Sequence, residues 1–427
     1  MKTNQLLFSI LLVGIAFGTA WAIRGQFGHE PGAAMAGIIG GAALLLAAKR
    51  KEWFNKMLPV IASSAIGWGT TGMISYGMVV GYCRAGDLLN STYGFLSLFV
   101  IGGLFGLIGG GLVGLSLNST SSHRVKWASL LAEMSAGGLI GYYFLIVQAE
   151  LLMTPPRSEA WAVCFGAGAA MVWHMVRNGF NPALRVAFYA MLGAGFGFSF
   201  GNFLQTSGSI LAIPFNLWNV MEYNIGFWGG SGMAYGVFTS DWPVDKESPK
   251  KYENRLSLFL ILLVIPFLVW KDAFTSASNL IKSSFIQNDA STVQLLAWLT
   301  LFILILMNLI IRLKLKGKQT YGRNDVMTLF FTVLGTYISW SYLVTGLFMG
   351  NFRSEQPLYL LNLLLFWALI GKSETPFNEN HDRKLFPKDR WTIYFISVIA
   401  FIVVLSLMVH LMNGGFPNVK LRFPLQP

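Results

Sequence analysis

The chain has 427 residues, of which 54% are hydrophobic and only 12% charged, and it carries a net charge of +12 at pH 7. Soluble proteins contain about 25% charged residues, so this composition excludes an ordinary soluble fold and predicts an all-α, polytopic bundle of transmembrane helices. The basic residues lie in short loops between apolar runs, which is typical of membrane topology, so we expect membrane lipid and not nucleic acid as a partner.

Motifs for metal, nucleotide or disulfide chemistry are missing from the sequence. The two cysteines, Cys83 and Cys164, form no framework, and the five histidines follow no zinc-binding spacing. There is no Walker loop and no dinucleotide fingerprint after a strand. We therefore expect no metal and no cofactor, and ATP-driven pumping by this chain alone is not expected.

Thirteen apolar segments are predicted to span the membrane, each bounded by polar residues or by Pro and Gly. They are residues 5–24, 32–48, 57–81, 93–117, 127–150, 159–176, 184–204, 213–238, 256–271, 292–313, 326–349, 356–371 and 391–413. With the N-terminus inside, 23 of the 31 basic residues fall on the inner side, so the C-terminus is expected outside. An alternative is that residues 1–22 form a cleaved signal peptide ending in Ala20-Trp21-Ala22.

Glycine divides the chain into two parts. Of 46 glycines, 38 precede residue 241, and small residues let membrane helices approach closely. One stripe, Gly102, Gly106, Gly110 and Gly114, repeats every fourth residue. We predict a Gly-rich core bundle of about eight helices over residues 1–240 and an apolar bundle of five helices with an outer tail over residues 255–427.

A weak internal repeat relates two helical hairpins of the core. Phe17-Gly18 and Gln26 correspond to Phe196-Gly197 and Gln205, and Glu30 corresponds to Glu222. Repeated hairpins are typical of transporters, although so many glycines could also match by chance.

The turn after the first segment is the densest polar signal of the sequence. It contains Arg24, Gln26, His29 and Glu30 among glycines, next to Trp21. Arginine suits recognition of carboxylate or phosphate, and a carboxylate beside a histidine can tune its proton affinity near neutrality. The alternative is that Arg24 and Glu30 pair with each other and cap a buried turn.

The second hairpin supplies further candidates for a polar recess on the same side of the membrane. They are Asn202, Gln205, Glu222 and Trp228. Polar groups so close to apolar spans are costly unless they are paired or face water. The tryptophans are equally typical of an interfacial aromatic belt.

Two ionisable residues lie deeper in the predicted spans. Glu133 and His174 occur on adjacent antiparallel segments and could relay a coupling proton. Alternatively, they form a hydrogen-bonded pair that joins the two helices.

Two main functions fit these patterns. The first is a secondary transporter for a small polar or anionic solute, such as a sugar or an organic acid, possibly proton-coupled, in the cytoplasmic (inner) membrane. The second is an integral-membrane transferase or hydrolase acting on a lipid-linked or glycan substrate, with His29 and Glu30 as the catalytic acid and base. A structural subunit is the third alternative, and oligomers are compatible with all three.

Overall fold

The computed structural model describes residues 2–244, 249–274, 290–318, 320–348, 353–377, 390–412, 416 and 419–423. The structure is 80% helical, and the residues it describes contain no strand. The prediction of an all-α fold is therefore confirmed.

Sixteen helices are described, and we number them in chain order. They are α1 Lys2–Arg24, α2 Glu30–Ala48, α3 Lys51–Phe54, α4 Met57–Thr71, α5 Gly77–Tyr82, α6 Leu88–Asn118, α7 Trp127–Gly141, α8 Glu159–Arg177, α9 Asn181–Ile210, α10 Leu217–Phe238, α11 Lys251–Phe259, α12 Ile265–Phe274, α13 Ala290–Leu315, α14 Arg323–Ser341, α15 Gln356–Ile370 and α16 Trp391–Met412. Short π-helical turns extend α7, α11 and α14 over Tyr142–Gln148, Leu260–Val264 and Tyr342–Phe348.

Nine helices in the described part of the chain are long and apolar enough to cross a membrane. They begin with the segments Asn4–Arg24, Glu30–Ala48 and Leu88–Asn118. The other four predicted segments coincide with α4 and α15, each 15 residues long, and with α8 and α10, which are longer but more polar. The helices in the described part of the chain are thus consistent with a multi-pass membrane protein.

The glycine stripe of α6 lies directly against α9. A Cβ atom added at Gly106 would overlap the carbonyl group of Ala190, and one added at Gly114 would lie 2.7 Å from the Cα atom of Ala183. The backbones therefore touch without intervening side chains, which is the packing that small residues allow between membrane helices.

Helices α1 and α10 pack together in a similar way, with aromatic rings at the seam. A Cβ atom added at Gly226 would lie 2.5 Å from the Cβ atom of Trp21. Phe17, Trp21 and Trp68 form a cluster of edge-to-face rings with centroids 4.7–5.5 Å apart. These contacts fix the end of α1 against α10, where the polar residues of the candidate site begin.

Burial differs strongly between helices of the bundle. The apolar stretch of α2 is 94% buried and that of α6 is 89% buried, whereas those of α7 and α16 are only 11% and 22% buried. Helix α7 belongs to the Gly-rich part of the sequence, yet it lies at the periphery against α8. Its exposed leucines are those expected of a helix that faces lipid.

Candidate functional site

Arg24 is the last residue of α1 and has only 1% of its side chain exposed. Trp21 lies three residues earlier on the same face of the helix. The guanidinium carbon of Arg24 lies 5.0 Å from the centre of the Trp21 ring. This distance is typical of a cation–π contact, so the charge is held against an aromatic wall.

The carboxylate that balances Arg24 belongs to Glu222 in the second turn of α10. Nη2 of Arg24 lies 3.2 Å from Oε2 of Glu222, which is fully buried. Tyr76 joins the two groups: its hydroxyl donates to Oε1 of Glu222 at 2.6 Å and accepts from Nη2 of Arg24 at 3.2 Å. The alternative pairing of Arg24 with Glu30 is not what the structure has, since Glu30 is exposed at the start of α2.

Several polar atoms at this site are buried without a hydrogen-bond partner among the described residues. They include Nε of Arg24, Nε1 of Trp21 and Oε2 of Glu222, whose contact with the guanidinium is a charge contact and not an aligned hydrogen bond. Buried polar groups in native proteins nearly always have partners. Three such atoms around one ion pair therefore leave hydrogen-bonding capacity unused beside two buried charges.

His29 lies at the mouth of the site and is partly covered. Its Nδ1 atom lies 3.4 Å from Nη1 of Arg24, and its ring meets that of Tyr76 edge-on at 5.5 Å, while the rest of the side chain is exposed. Burial of the covered edge, and then the charge of Arg24, lower the pKa of His29. The imidazole is therefore neutral at pH 7.

Gly28 supplies the turn that presents His29. Its φ angle is +91°, a conformation that other residues adopt only with strain, and a Cβ atom added there would have no atom within 4 Å. Trp218, 40% exposed, stacks on the ring of Tyr76 at 6.2 Å. The exposed edge of the site is thus bordered by the imidazole of His29, the indole of Trp218 and the backbone of Gly28.

Asn202 and Gln205 line α9 on the helix face that approaches Tyr76. Phe198, one turn before Asn202, contacts the Tyr76 ring with centroids 5.0 Å apart. Nδ2 of Asn202 donates to Oε1 of Gln205 at 3.0 Å, and the Oδ1 atom of Asn202 is buried without a partner in the described residues. Asn202 and Gln205 therefore lie on the same side of the site as the ring of Tyr76.

Gln26 turns away from the ion pair toward the last helices. Its Oε1 atom accepts from the hydroxyl of Ser341 in α14 at 2.9 Å. Asn219 in α10 donates to the hydroxyl of Tyr359 in α15 at 2.6 Å and to the carbonyl of Ala22 at 3.0 Å. These side-chain bonds join α14 and α15 to the end of the bundle that carries Arg24, which we call the Arg24 end.

Trp228 is not brought to the ion pair. It follows Glu222 by six residues, about 240° around α10, and it contacts the ring of Phe196 at 5.0 Å. Its Nε1 atom donates to Oδ1 of Asn224 at 3.2 Å. The residue therefore packs α9 against α10 on another face of the helix.

Glu133 and His174 do meet, but in a separate cluster. Nδ1 of His174 lies 3.1 Å from Oε2 of Glu133, and Arg177 donates to Oε1 of the same carboxylate at 2.5 Å. Arg177 is the last residue of α8 and is 47% exposed. The cluster thus joins α7 to α8 near a helix end.

Sequence reasoning missed Tyr76 and Tyr337. Tyr76 lies in the break between α4 and α5, and Tyr337 in α14 donates to the carbonyl of Gly32 at 3.3 Å. The polar run Ser75-Tyr76-Gly77 within an apolar segment is the signal that could have marked the first of them. No family model, curated protein or solved structure matches the chain.

Proposed function

We propose that the chain is a secondary transporter that moves a small polar or anionic solute across the cytoplasmic membrane together with a proton. The observation that carries this proposal is the fully buried Arg24–Glu222 pair, which is bridged by Tyr76 and adjoins polar atoms that have no partner among the described residues. Ionisable residues inside membrane proteins are costly and usually functional.

The energetics of the pair support a role beyond holding the fold. Removing two charges from water costs several kcal/mol per ion, so a buried pair often stabilises no more than apolar residues of the same volume. Trp21 and the hydroxyl of Tyr76 offset part of the cost of burying the Arg24 guanidinium, but the fold does not require a charge at this position. A buried arginine with this desolvation cost is useful to a protein that replaces the Glu222 carboxylate by an anionic group of the solute.

Charge balance suggests how a proton would be coupled. Protonation of Glu222 would leave the guanidinium of Arg24 as an uncompensated buried charge, which is strongly unfavourable. A carboxylate or phosphate group of a solute would neutralise it, because arginine binds such groups with two parallel hydrogen bonds. Binding of the anion and binding of the proton would therefore favour each other.

The surroundings suit a compact solute with apolar and polar faces. In the proposed site, Trp21, Tyr76 and Trp218 would supply aromatic walls and Asn202 and Gln205 amide groups from α9. Pockets of this kind orient a ligand with a few polar groups between apolar walls.

The topology belongs to the same proposal. We infer thirteen spans, with the N-terminus inside and the C-terminus outside in the inner membrane, because this arrangement places 23 of 31 basic residues inside. The Arg24 end of the bundle would then face outward, and the loops rich in lysine and arginine would face the cytoplasm.

Transport by purified protein in liposomes tests the proposal. Small carboxylates, sugars and phosphate esters are first screened for those that raise the melting temperature of the detergent-solubilised protein. Uptake of each labelled hit is then measured with and without an inward proton gradient. The Arg24→Ala variant is expected to lose uptake, and normal uptake by this variant would refute the assignment.

Glu222→Gln separates solute binding from proton coupling. Glutamine resembles the protonated acid, so this variant is expected to exchange labelled for unlabelled solute while no longer responding to the proton gradient. Glu52→Gln is the control, because Glu52 forms a more exposed ion pair with Arg50 elsewhere, and it should behave as wild type. Gradient-driven accumulation by Glu222→Gln would exclude Glu222 as the coupling acid.

The enzyme alternative rests on His29, whose lowered pKa keeps an exposed base neutral at the mouth of the site. The contacts of its ring are with Arg24 and Tyr76, so its pairing with Glu30 as acid and base lacks a geometric basis. Turnover of a lipid-linked or glycan substrate by purified protein, abolished in His29→Gln, would favour the enzyme.

A further inference from the structure

A groove far from the Arg24 site opens between α4, α6, α7, α8 and α11. Its volume is about 660 Å³, which is within the range of about 300–1,000 Å³ typical of ligand pockets. It extends from the loops at residues 119–124 and 249–253 to Ile66 and Thr70 near the other end of α4. The groove therefore begins at the end of the bundle that carries the basic loops and follows α4 through much of its length.

The walls of the groove are apolar side chains that protein atoms leave uncovered. Ile66 on α4 is 43% exposed, Leu131 on α7 is 62% exposed and Leu256 on α11 is 58% exposed. They belong to three helices that line the same groove. In a membrane protein, acyl chains are the material that covers such surfaces.

The basic-loop end of the groove is positively charged. Lys56, Arg124 and Lys250 line it, and Glu253 is the only acidic residue among the lining residues. The Glu253 carboxylate accepts from the backbone N–H of Lys250 at 3.0 Å, so it serves to cap α11. Among the described residues that line this end, three are cations and one is a carboxylate, which favours an anionic ligand.

Hydroxyl groups and interfacial aromatic rings complete this rim. Ser119, Thr120 and Ser121 lie there together, and the buried ammonium of Lys56 donates to the carbonyl of Ser119 at 2.6 Å. Trp127 and Tyr252 line the same end, as amphipathic rings do at the boundary between headgroups and acyl chains. Charges, hydroxyls and aromatic rings thus occur where a lipid headgroup would lie, and apolar walls occur where its tails would lie.

We propose that this groove binds one anionic phospholipid from the membrane leaflet on the basic-loop side. Its phosphate would contact Arg124 and Lys250 beside the Ser119–Ser121 hydroxyls, and its acyl chains would cover Ile66, Leu131 and Leu256. Basic pockets between membrane helices on the cytoplasmic side bind anionic headgroups in this way. The proposal does not depend on transport through the Arg24 site.

Native mass spectrometry of the full-length protein, titrated with phosphatidylglycerol or phosphatidylcholine, tests it. The wild type is expected to prefer phosphatidylglycerol. Each basic residue near an anionic headgroup accounts for about fivefold in affinity, so Arg124→Gln/Lys250→Gln should weaken this binding about 25-fold. Lys51→Gln/Lys126→Gln is the charge-matched control, because both lysines are exposed at the same end and neither lines the groove. Its affinity should match that of the wild type.

A second pair of variants tests the position of the acyl chains. Leu131→Trp would fill the groove, whereas Leu139→Trp, 70% exposed on the same helix, lies outside the lining residues. The first is expected to reduce binding of both lipids and the second to leave it unchanged. The proposal would be overturned by equal affinities for the two lipids or by undiminished phosphatidylglycerol binding in Arg124→Gln/Lys250→Gln. It would also be overturned if inorganic phosphate protected the protein thermally as well as phosphatidylglycerol does, or if the protein formed a dimer that Leu131→Trp disrupts.

Discussion

Replacing the buried ion pair by leucines separates its structural role from its functional one. The variants are Arg24→Leu, Glu222→Leu and the combination of both. Each single change leaves one charge buried without its partner, since the two side chains are 1% and 0% exposed. The double change replaces both charges by apolar groups that fit the surrounding aromatic and aliphatic side chains.

The expected magnitudes follow from the burial of the pair. Breaking a buried ion pair from one side costs about 3–5 kcal/mol, whereas replacing both members by apolar residues is often neutral. The two single variants should therefore unfold more easily by about 3–5 kcal/mol each. The single losses sum to about 6–10 kcal/mol, and the double variant should recover most of this, so the coupling energy should exceed the usual range of about 0.5–3 kcal/mol for interacting residues.

The free energy of unfolding can be measured by titrating SDS into detergent micelles and following tryptophan fluorescence. The control is Glu52→Leu, which removes one member of the Arg50–Glu52 pair, 19% and 29% exposed. Exposed pairs contribute about 0–1 kcal/mol, so this variant should remain within that range. Uptake into liposomes is measured for the same set of proteins.

The decisive comparison is between stability and uptake in the double variant. We expect restored stability without restored uptake, because leucines cannot hold an anion or a proton. Single variants that lose less than about 1 kcal/mol, or losses that simply add, would show that the pair is solvated and contradict the burial argument. Restored uptake would show that the ion pair serves the fold alone.

Three further predictions concern single residues. Gly106→Ala should destabilise the protein by about 1–3 kcal/mol, because the new Cβ overlaps the carbonyl of Ala190. The control Gly335→Ala should be neutral or slightly stabilising, because no atom lies within 4 Å of its added Cβ. Both variants are compared with the wild type in thermal melts. Tyr76→Phe should cost about 1.5–3 kcal/mol, since it removes a hydroxyl bonded to a carboxylate at 2.6 Å, and an unchanged SDS midpoint would contradict this. The pKa of His29 is lowered in the folded protein, so unfolding takes up a proton in the pH range between the folded and the unfolded pKa. The free energy of unfolding should therefore fall as pH drops through the ordinary histidine pKa of about 6.5 and level off below the folded pKa. In His29→Gln this part of the pH dependence should be absent.

The helical segments and the core packing were largely accessible from the sequence. The four-residue spacing of Gly102, Gly106, Gly110 and Gly114 predicts a helix face that touches another backbone, and α9 lies there. The peripheral position of α7 was not accessible, because its glycines, such as Gly137, serve a contact with α8 alone. Glycine content predicts that a helix packs closely against another helix, but it does not predict how many helices it contacts.

The partner of Arg24 could not be identified from the sequence. The predicted alternative was Glu30, six residues away, whereas the structure has Glu222 on α10. Side-chain direction decides this: Arg24 ends α1 on the face that meets α10, while Glu30 begins α2 and points to the surface. The repeat paired Gln26 with Gln205, whereas in the structure Gln26 is bonded to Ser341 and Gln205 to Asn202.

In the transport cycle that we propose, the glycine contacts would constrain how access to the site alternates. Helices whose backbones touch, as α6 and α9 do at Gly106, cannot slide or rotate without steric overlap. Helices α14 and α15 are instead joined to the Arg24 end through side-chain hydrogen bonds such as Gln26–Ser341 and Asn219–Tyr359, which can exchange with water. A motion that exposes Arg24 in this proposed cycle would therefore separate α14 and α15 from the Arg24 end more readily than it would separate α6 from α9.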